Sequence, residues 1–221
     1  ADKHYSQGDV FGAIEEYRMA LLADENNTLA WNSLGVCLAG VGKHSEARRA
    51  FEQAVRRDLR EAAVHYNLGT ACINTGDLTE AARQFRICLD LEPEYTFAEI
   101  KLGELAEREH DFDEARKYFE RAQKSDPASP APYRCLARLD MQGGNPDKAR
   151  ERLHQALLRT PQDAFSRHLM ARLYLDGGED PELAETLARQ SVTLRPDRKA
   201  AWLELARALE AQGRHRDARE A

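Results

Sequence analysis

The chain has little of what small chemical sites are built from. Its four cysteines, Cys37, Cys72, Cys88 and Cys135, lie 35, 16 and 47 residues apart with no C-x2-C pair. That spacing argues against a disulfide framework and a cysteine-ligated zinc site, and free buried thiols are expected, as in a reducing compartment. The seven histidines form no pair four residues apart, so neither a metal nor another cofactor is expected. A glycine-rich phosphate loop, an H-E-x-x-H helix and a nucleophile elbow are all missing, and catalysis is not expected. No apolar run is long enough to span a bilayer, which argues against direct membrane insertion. Positive charge is also in deficit. With 32 Lys and Arg against 38 Asp and Glu the formal charge is −6, and without a continuous basic stripe no nucleic-acid partner is expected. No leader segment is visible after Ala1; the cytoplasm is the expected location, with the periplasm as the alternative.

What the chain does have is a period. Gly8, Gly42, Gly76, His110, Gly144, Gly178 and Gly213 follow one another at steps of 34 residues, with a single step of 35 at the end. Ala13, Ala47, Ala81, Ala115, Ala149, Ala184 and Ala218 repeat in the same register, which places the extra residue near Glu179-Asp180. A fixed period of this size means stacked supersecondary units.

Each unit reads as two helices. Between Ala62 and Tyr95, one apolar stripe runs through His65, Leu68, Gly69 and Cys72 and a second through Leu78, Ala81, Phe85, Cys88 and Leu89, with Asn74-Thr75-Gly76-Asp77 between them. The ladder glycine is expected in a left-handed conformation, which implies the same backbone at His110. Asp9, Asp77 and Asp111 are placed to cap the second helix, and Pro146 and Pro181 to open it. Pro93, Pro127, Pro161 and Pro196 stop it. Small residues in the first helices, Gly35, Gly69 and Gly103 among them, let backbones approach, and Phe51, Phe85 and Phe119 fill the seams. Charged residues at 32% and hydrophobic residues at 42% suit a thin stack with much surface.

The motif Trp31, Leu34-Gly35, Ala47, Phe51, Ala54 returns as Leu68-Gly69, Ala81, Phe85, Pro93, then as Leu102-Gly103, Ala115, Phe119, Ala122, Pro127, and more loosely as Tyr133, Leu136, Ala149, Ala156, Pro161. On these residues the chain resembles the tetratricopeptide repeat (TPR) family over essentially its whole length. The resemblance implies an all-α fold, a right-handed α-solenoid of stacked helix-turn-helix hairpins. The period divides it into a partial repeat over 1–27, repeats over 28–61, 62–95, 96–129 and 130–163, a repeat with one inserted residue over 164–198, and a partial repeat over 199–221. Residues 1–221 read as one solenoid, and the two partial repeats suggest the TPR region of a larger protein, with a bacterial look to its Arg and Ala usage. The sixth unit departs most from the pattern, with Met170, Ala171 and Ala188 in weakly matching slots.

The family resemblance further implies that the first helices line a concave groove that binds a protein or peptide. The inward slots are Leu29, Asn32, Val36, Tyr66, Thr70, Ile73 and Asn74, then Phe97, Ile100 and Glu104, then Arg134, Arg138, His168, Arg172 and Arg207. The apolar and amide half thus gives way to a ladder of arginines. Two readings of that ladder stand. It could hold the carboxylates of an acidic segment, or be neutralised from within, with Asp176 reachable from Arg172 and Glu210 from Arg207. Arg134 and Arg138 resemble one basic pair of the chaperone-tail clamp found in some relatives, but Tyr66, Thr70, Ile100 and Glu104 stand where its Lys and Asn belong, which disfavours that ligand. Three roles follow: an interaction scaffold, a self-assembly module joined through the ends of the stack as a homo-oligomer, and the recognition arm of a larger enzyme or signalling protein.

Overall fold

The computed structural model describes residues 9–57 and 60–220. Gly8, the first of the ladder, lies outside them. Among the described residues there are thirteen helices and no strand, so the chain is an all-α helical-repeat protein. It divides into two compact units that adjoin at Glu109 and His110.

The first unit holds α1 (Val10–Ala23), α2 (Thr28–Gly40), α3 (His44–Arg56), α4 (Ala62–Asn74), α5 (Leu78–Leu91) and α6 (Thr96–Arg108). Each helix packs on the next, and α2 also touches α4. The second unit holds α7 (Phe112–Ser125), α8 (Pro130–Gln142), α9 (Pro146–Arg159), α10 (Ala164–Gly177), α11 (Pro181–Leu194), α12 (Lys199–Ala211) and α13 (His215–Glu220). There α8 touches α10 and α10 touches α12, so the first helices of successive hairpins lie side by side. No helix of the described residues is long and apolar enough to cross a membrane.

The turn inside each hairpin is fixed by local chemistry. Gly42, Gly76, Gly144, Gly178 and Gly213 have positive φ, and His110, at φ 62°, adopts the same left-handed backbone. One residue further on, the N–H groups of Lys43, Asp77, Asn145, Glu179 and Arg214 donate back to the carbonyls of Leu38, Cys72, Asp140, Tyr174 and Leu209 at 2.8–3.1 Å. This closure satisfies carbonyls that the end of a helix leaves open. Asp9, Asp77, Asp111 and Asp180 then cap the second helix by accepting from the third residue on, while Pro130, Pro146 and Pro181 occupy first-turn positions. The extra residue of the sixth unit is absorbed at this turn. There α10 runs to 14 residues, where α2, α4, α6, α8 and α12 have 13, and Glu179 is interposed between the left-handed Gly178 and the capping Asp180. Met170, Ala171 and Ala188 are buried as core residues.

Seams form where a helix carries glycine. A Cβ at Gly35 would stand 2.6 Å from the ring of Phe51, and one at Gly69 would stand 2.7 Å from the ring of Phe85. Both rings are fully buried, so ring and backbone occupy the volume a side chain would need. All four cysteines are buried and none is in a disulfide, and burial pushes the Cys72 thiol up to about 11 and the Cys88 thiol up to about 12. They are inert packing residues.

Candidate functional site

In the first unit, the expected groove slots surround an aromatic cluster. Tyr66 on α4 lies 5.4 Å from Tyr95 and 6.2 Å from Phe97, which are 6.3 Å from each other, and the buried Phe85 ring lies 5.8 Å below Tyr66. Phe97 is 62% exposed, whereas Tyr66 and Tyr95 are half-buried. Tyr95 has the position before α6 that a capping side chain takes elsewhere. Its phenol makes no cap and lies against the other rings. Burial raises its pKa above the usual range. Leu29 and Asn74 are exposed, while Asn32, Val36, Thr70 and Ile73 are half-buried. Asn67 Nδ2 reaches Asn32 Oδ1 at 3.5 Å between α4 and α2, and Glu104 accepts from Lys101 at 2.8 Å.

Ile100 corrects the sequence reading. It is only 8% exposed, an aliphatic side chain that gains by burial and has no polar end to keep in water. His168 is a second correction. At 6% exposure it lies beneath the face, and burial, with smaller contributions from Arg198 and Arg172, pushes its imidazole down to about 4. It is neutral at physiological pH.

The arginine ladder of the second unit resolves into two arrangements. Arg172 donates to Asp176 at 3.3 Å, and Arg207 donates to the same Asp176 and to Glu204, each at 2.7 Å. The pairing to Asp176 follows the sequence expectation. For Arg207 the carboxylate is not Glu210, a turn later, but Glu204, a turn earlier on α12, together with Asp176 from α10. Glu204 is buried, and that burial holds its carboxyl above the usual range against the pull of Arg207. Two cations and two carboxylates make this network neutral. Arg138 is half-buried on α8.

The other arrangement is cationic. Arg134 donates to the buried Asp163 at 2.8 Å, and its guanidinium carbon lies 5.0 Å from the centroid of Phe165. Arg198, which the sequence reading did not single out, lies 3.7 Å from the same centroid. Its signal was a mismatch, since an arginine stands in the capping slot where other first helices have Asn27, Ser129 and Asp163.

A third feature lies away from the first helices. Asp140, 1% exposed, accepts from Arg116 at 2.8 Å and from Arg152 at 2.6 Å. These residues line a polar cavity of about 700 Å³ between α7, α8 and α9. The corresponding slot in the other hairpins carries Leu38, Cys72, Ala106, Tyr174 and Leu209. Here one buried carboxylate pairs with two flanking arginines where other hairpins pack an apolar group. Among the described residues no group of three His, Cys, Asp or Glu is disposed to hold a metal ion.

Two models of the tetratricopeptide repeat match this chain, one over residues 106–173 and the other over 39–95 and 168–221. No curated protein matches it. Among solved structures it is similar to MamA, with 26% identity, 74% of this chain and 95% of that one covered, and a TM-score of 0.67. A tetratricopeptide repeat protein from Parabacteroides merdae shares the fold over 98% of this chain and 85% of its own, at 19% identity and a TM-score of 0.81. YrrB, described as a TPR protein with an unusual peptide-binding site, shares it over 76% of this chain and 87% of its own, at 22% identity and a TM-score of 0.63. Glycine-turned hairpins, phenylalanine seams and repeat models that together match most of its residues agree: the chain belongs to the tetratricopeptide repeat family.

Proposed function

We propose that the chain is a protein–protein interaction scaffold that holds a segment of a partner along its first helices, by binding and not by catalysis. The observation that carries this reading is the Tyr66, Tyr95 and Phe97 cluster. Burying Phe97 alone would remove enough apolar area from water to matter, at roughly 25 cal/mol per Å², and rigid aromatic anchors of this kind dominate interface energies. Leu29, Asn32, Val36, Thr70, Ile73 and Asn74 flank the cluster along α2 and α4. The neutral network of Arg172 and Arg207 argues that these arginines serve the hairpins first. YrrB supports the reading as an instance of the same fold described with a peptide-binding site.

The test is selection of a displayed random-peptide library on the chain, repeated with Tyr66→Ala plus Phe97→Ala and with Arg172→Gln plus Arg207→Gln. Peptides selected on the native chain should lose binding to the aromatic variant and keep it with the arginine variant. Peptides indifferent to the aromatic pair would sink the groove reading.

A second reading, self-assembly, draws on α1. Phe11, Met19 and Leu22 are exposed there, while the slot of Phe11 carries Ser45, Thr79, Asp113, Asp147 and Glu182 in later hairpins. Sedimentation of the native chain and of Phe11→Ser over a concentration series decides it: concentration-dependent association lost in the variant supports a homo-oligomer.

A further inference from the structure

We propose that Arg134, Phe165 and Arg198 form a carboxylate-binding subsite that takes an acidic side chain of the docked segment, an inference that rests on the groove reading. Arg198 occupies the capping position of α12. An arginine has no acceptor with which to cap a helix, and no side-chain cap is formed there. Its guanidinium instead lies against Phe165, the ring that Arg134 approaches from α8. Phe165 is 38% exposed, so the ring and the cations border solvent.

The charges there do not balance. Arg134 and Arg198 contribute two positive charges and Asp163 one negative charge, and Asp163 is engaged by Arg134, by the Ser166 amide at 3.2 Å and by the Ser166 hydroxyl. Arg195 and Asp197 close on each other at 3.0 Å. Arg198 Nε is buried with no hydrogen-bond partner among the described residues, and so is His168 Nδ1. Desolvation, followed by repulsion from Arg134 and Arg195, lowers the pKa of Arg198, as expected of a cation short of a counter-charge. A single carboxylate, forked onto the Arg198 guanidinium above Phe165, brings the count to zero. A phosphate, at nearly two negative charges, would overshoot it. The Arg172, Arg207, Asp176 and Glu204 network is already neutral and supplies the internal control. The chain's overall charge of −6 does not oppose the site strongly, because exposed charges beyond about 10 Å are screened at 0.1 M salt.

The experiment measures fluorescence anisotropy of labelled hexaglutamate and hexaglutamine on the full chain, with Arg198→Gln and, as an equal change of charge, Arg207→Gln. Hexaglutamate should bind at least about tenfold more tightly than hexaglutamine, a difference of 1.4 kcal/mol. Arg198→Gln should remove that preference, and Arg207→Gln should retain it within about twofold. In the native chain the His168 ring signals should titrate at higher pH when hexaglutamate is bound, because a nearby anion favours the imidazolium. Equal binding of the two peptides, an unaltered preference in Arg198→Gln, an equal loss in Arg207→Gln, or a static His168 titration would each overturn the subsite. Tighter binding of a phosphoserine peptide than of hexaglutamate would overturn its assignment to a carboxylate. The library selection separates this inference from the one beneath it: if dependence on Tyr66 and Phe97 persists while hexaglutamate fails, only the carboxylate subsite falls.

Discussion

His110 adopts a backbone that its equivalents leave to glycine. A left-handed conformation costs an L-residue about 1–2 kcal/mol, and His110→Gly recovers that against about 0.5–1 kcal/mol of added unfolded-state entropy. The histidine also makes an edge contact with Phe112 at 5.9 Å, exposed and so worth about 0.5 kcal/mol, the low end for aromatic pairs. His110→Gly should therefore raise Tm slightly, by about 1–2 °C; a lowered Tm would mean that the ring contact outweighs the backbone. His168 makes a prediction in pH. Its folded-state pKa of about 4 lies below the ordinary imidazole value of 6.5, so between those values the unfolded chain binds the extra proton. Stability from the neutral imidazole is present above pH 6.5 and is lost as pH falls towards 4, by about 3 kcal/mol at 1.36 kcal/mol per unit. Denaturant titrations at several pH values should show a steeper acid loss in the native chain than in His168→Leu. Parallel curves would show that His168 is not the group responsible.

At the scale of a helix, α2 carries two glycines whose replacement should have opposite signs. A Cβ at Gly35 meets Phe51 ring atoms at 2.6, 2.7 and 2.8 Å, whereas one at Gly40 has nothing within 4 Å. Gly40→Ala should stabilise by up to about 1 kcal/mol through helix propensity. Gly35→Ala gains the same propensity but overpacks a buried seam at about 1–3 kcal/mol, and should destabilise. Urea midpoints of the two variants check the pair, and equal shifts would show that the seam yields to the extra methyl. This contrast also marks how far the sequence could be read. Gly35, Phe51, Asp77 and Pro181 act within one hairpin, so their spacing revealed the turns, caps and seams. Tyr95, Arg198 and Asp140 act through partners on neighbouring hairpins. Tyr95 and Arg198 hold positions where a cap is ordinary, and Asp140 holds one where an apolar residue is ordinary. A period identifies each slot but not the neighbour across it. For that reason the apolar part of the candidate face was largely legible, Ile100 excepted, while the division of the arginines into a neutral network and a cationic pair was not.

For the whole molecule, the pattern of helix contacts governs how far a perturbation travels. Within each unit a helix packs on its chain neighbours and on the next first helix, so stability is close to a sum of hairpin terms and nearest-neighbour terms. Gly35→Ala, with its strain at the seam of α2 and α3, tests this arrangement. Hydrogen exchange should quicken in α2 and α3, less in the adjoining α1 and α4, and not in α10, α11 and α12, because opening free energies in such a chain are set locally. A cooperative globule would respond differently, with every slowly exchanging amide losing protection by the same free energy. Uniform acceleration through α12 would therefore refute the nearest-neighbour description. A confined response would allow the aromatic cluster of α4 and α6 and the cationic pair around Phe165 to be altered one at a time, each leaving the fold of the other in place.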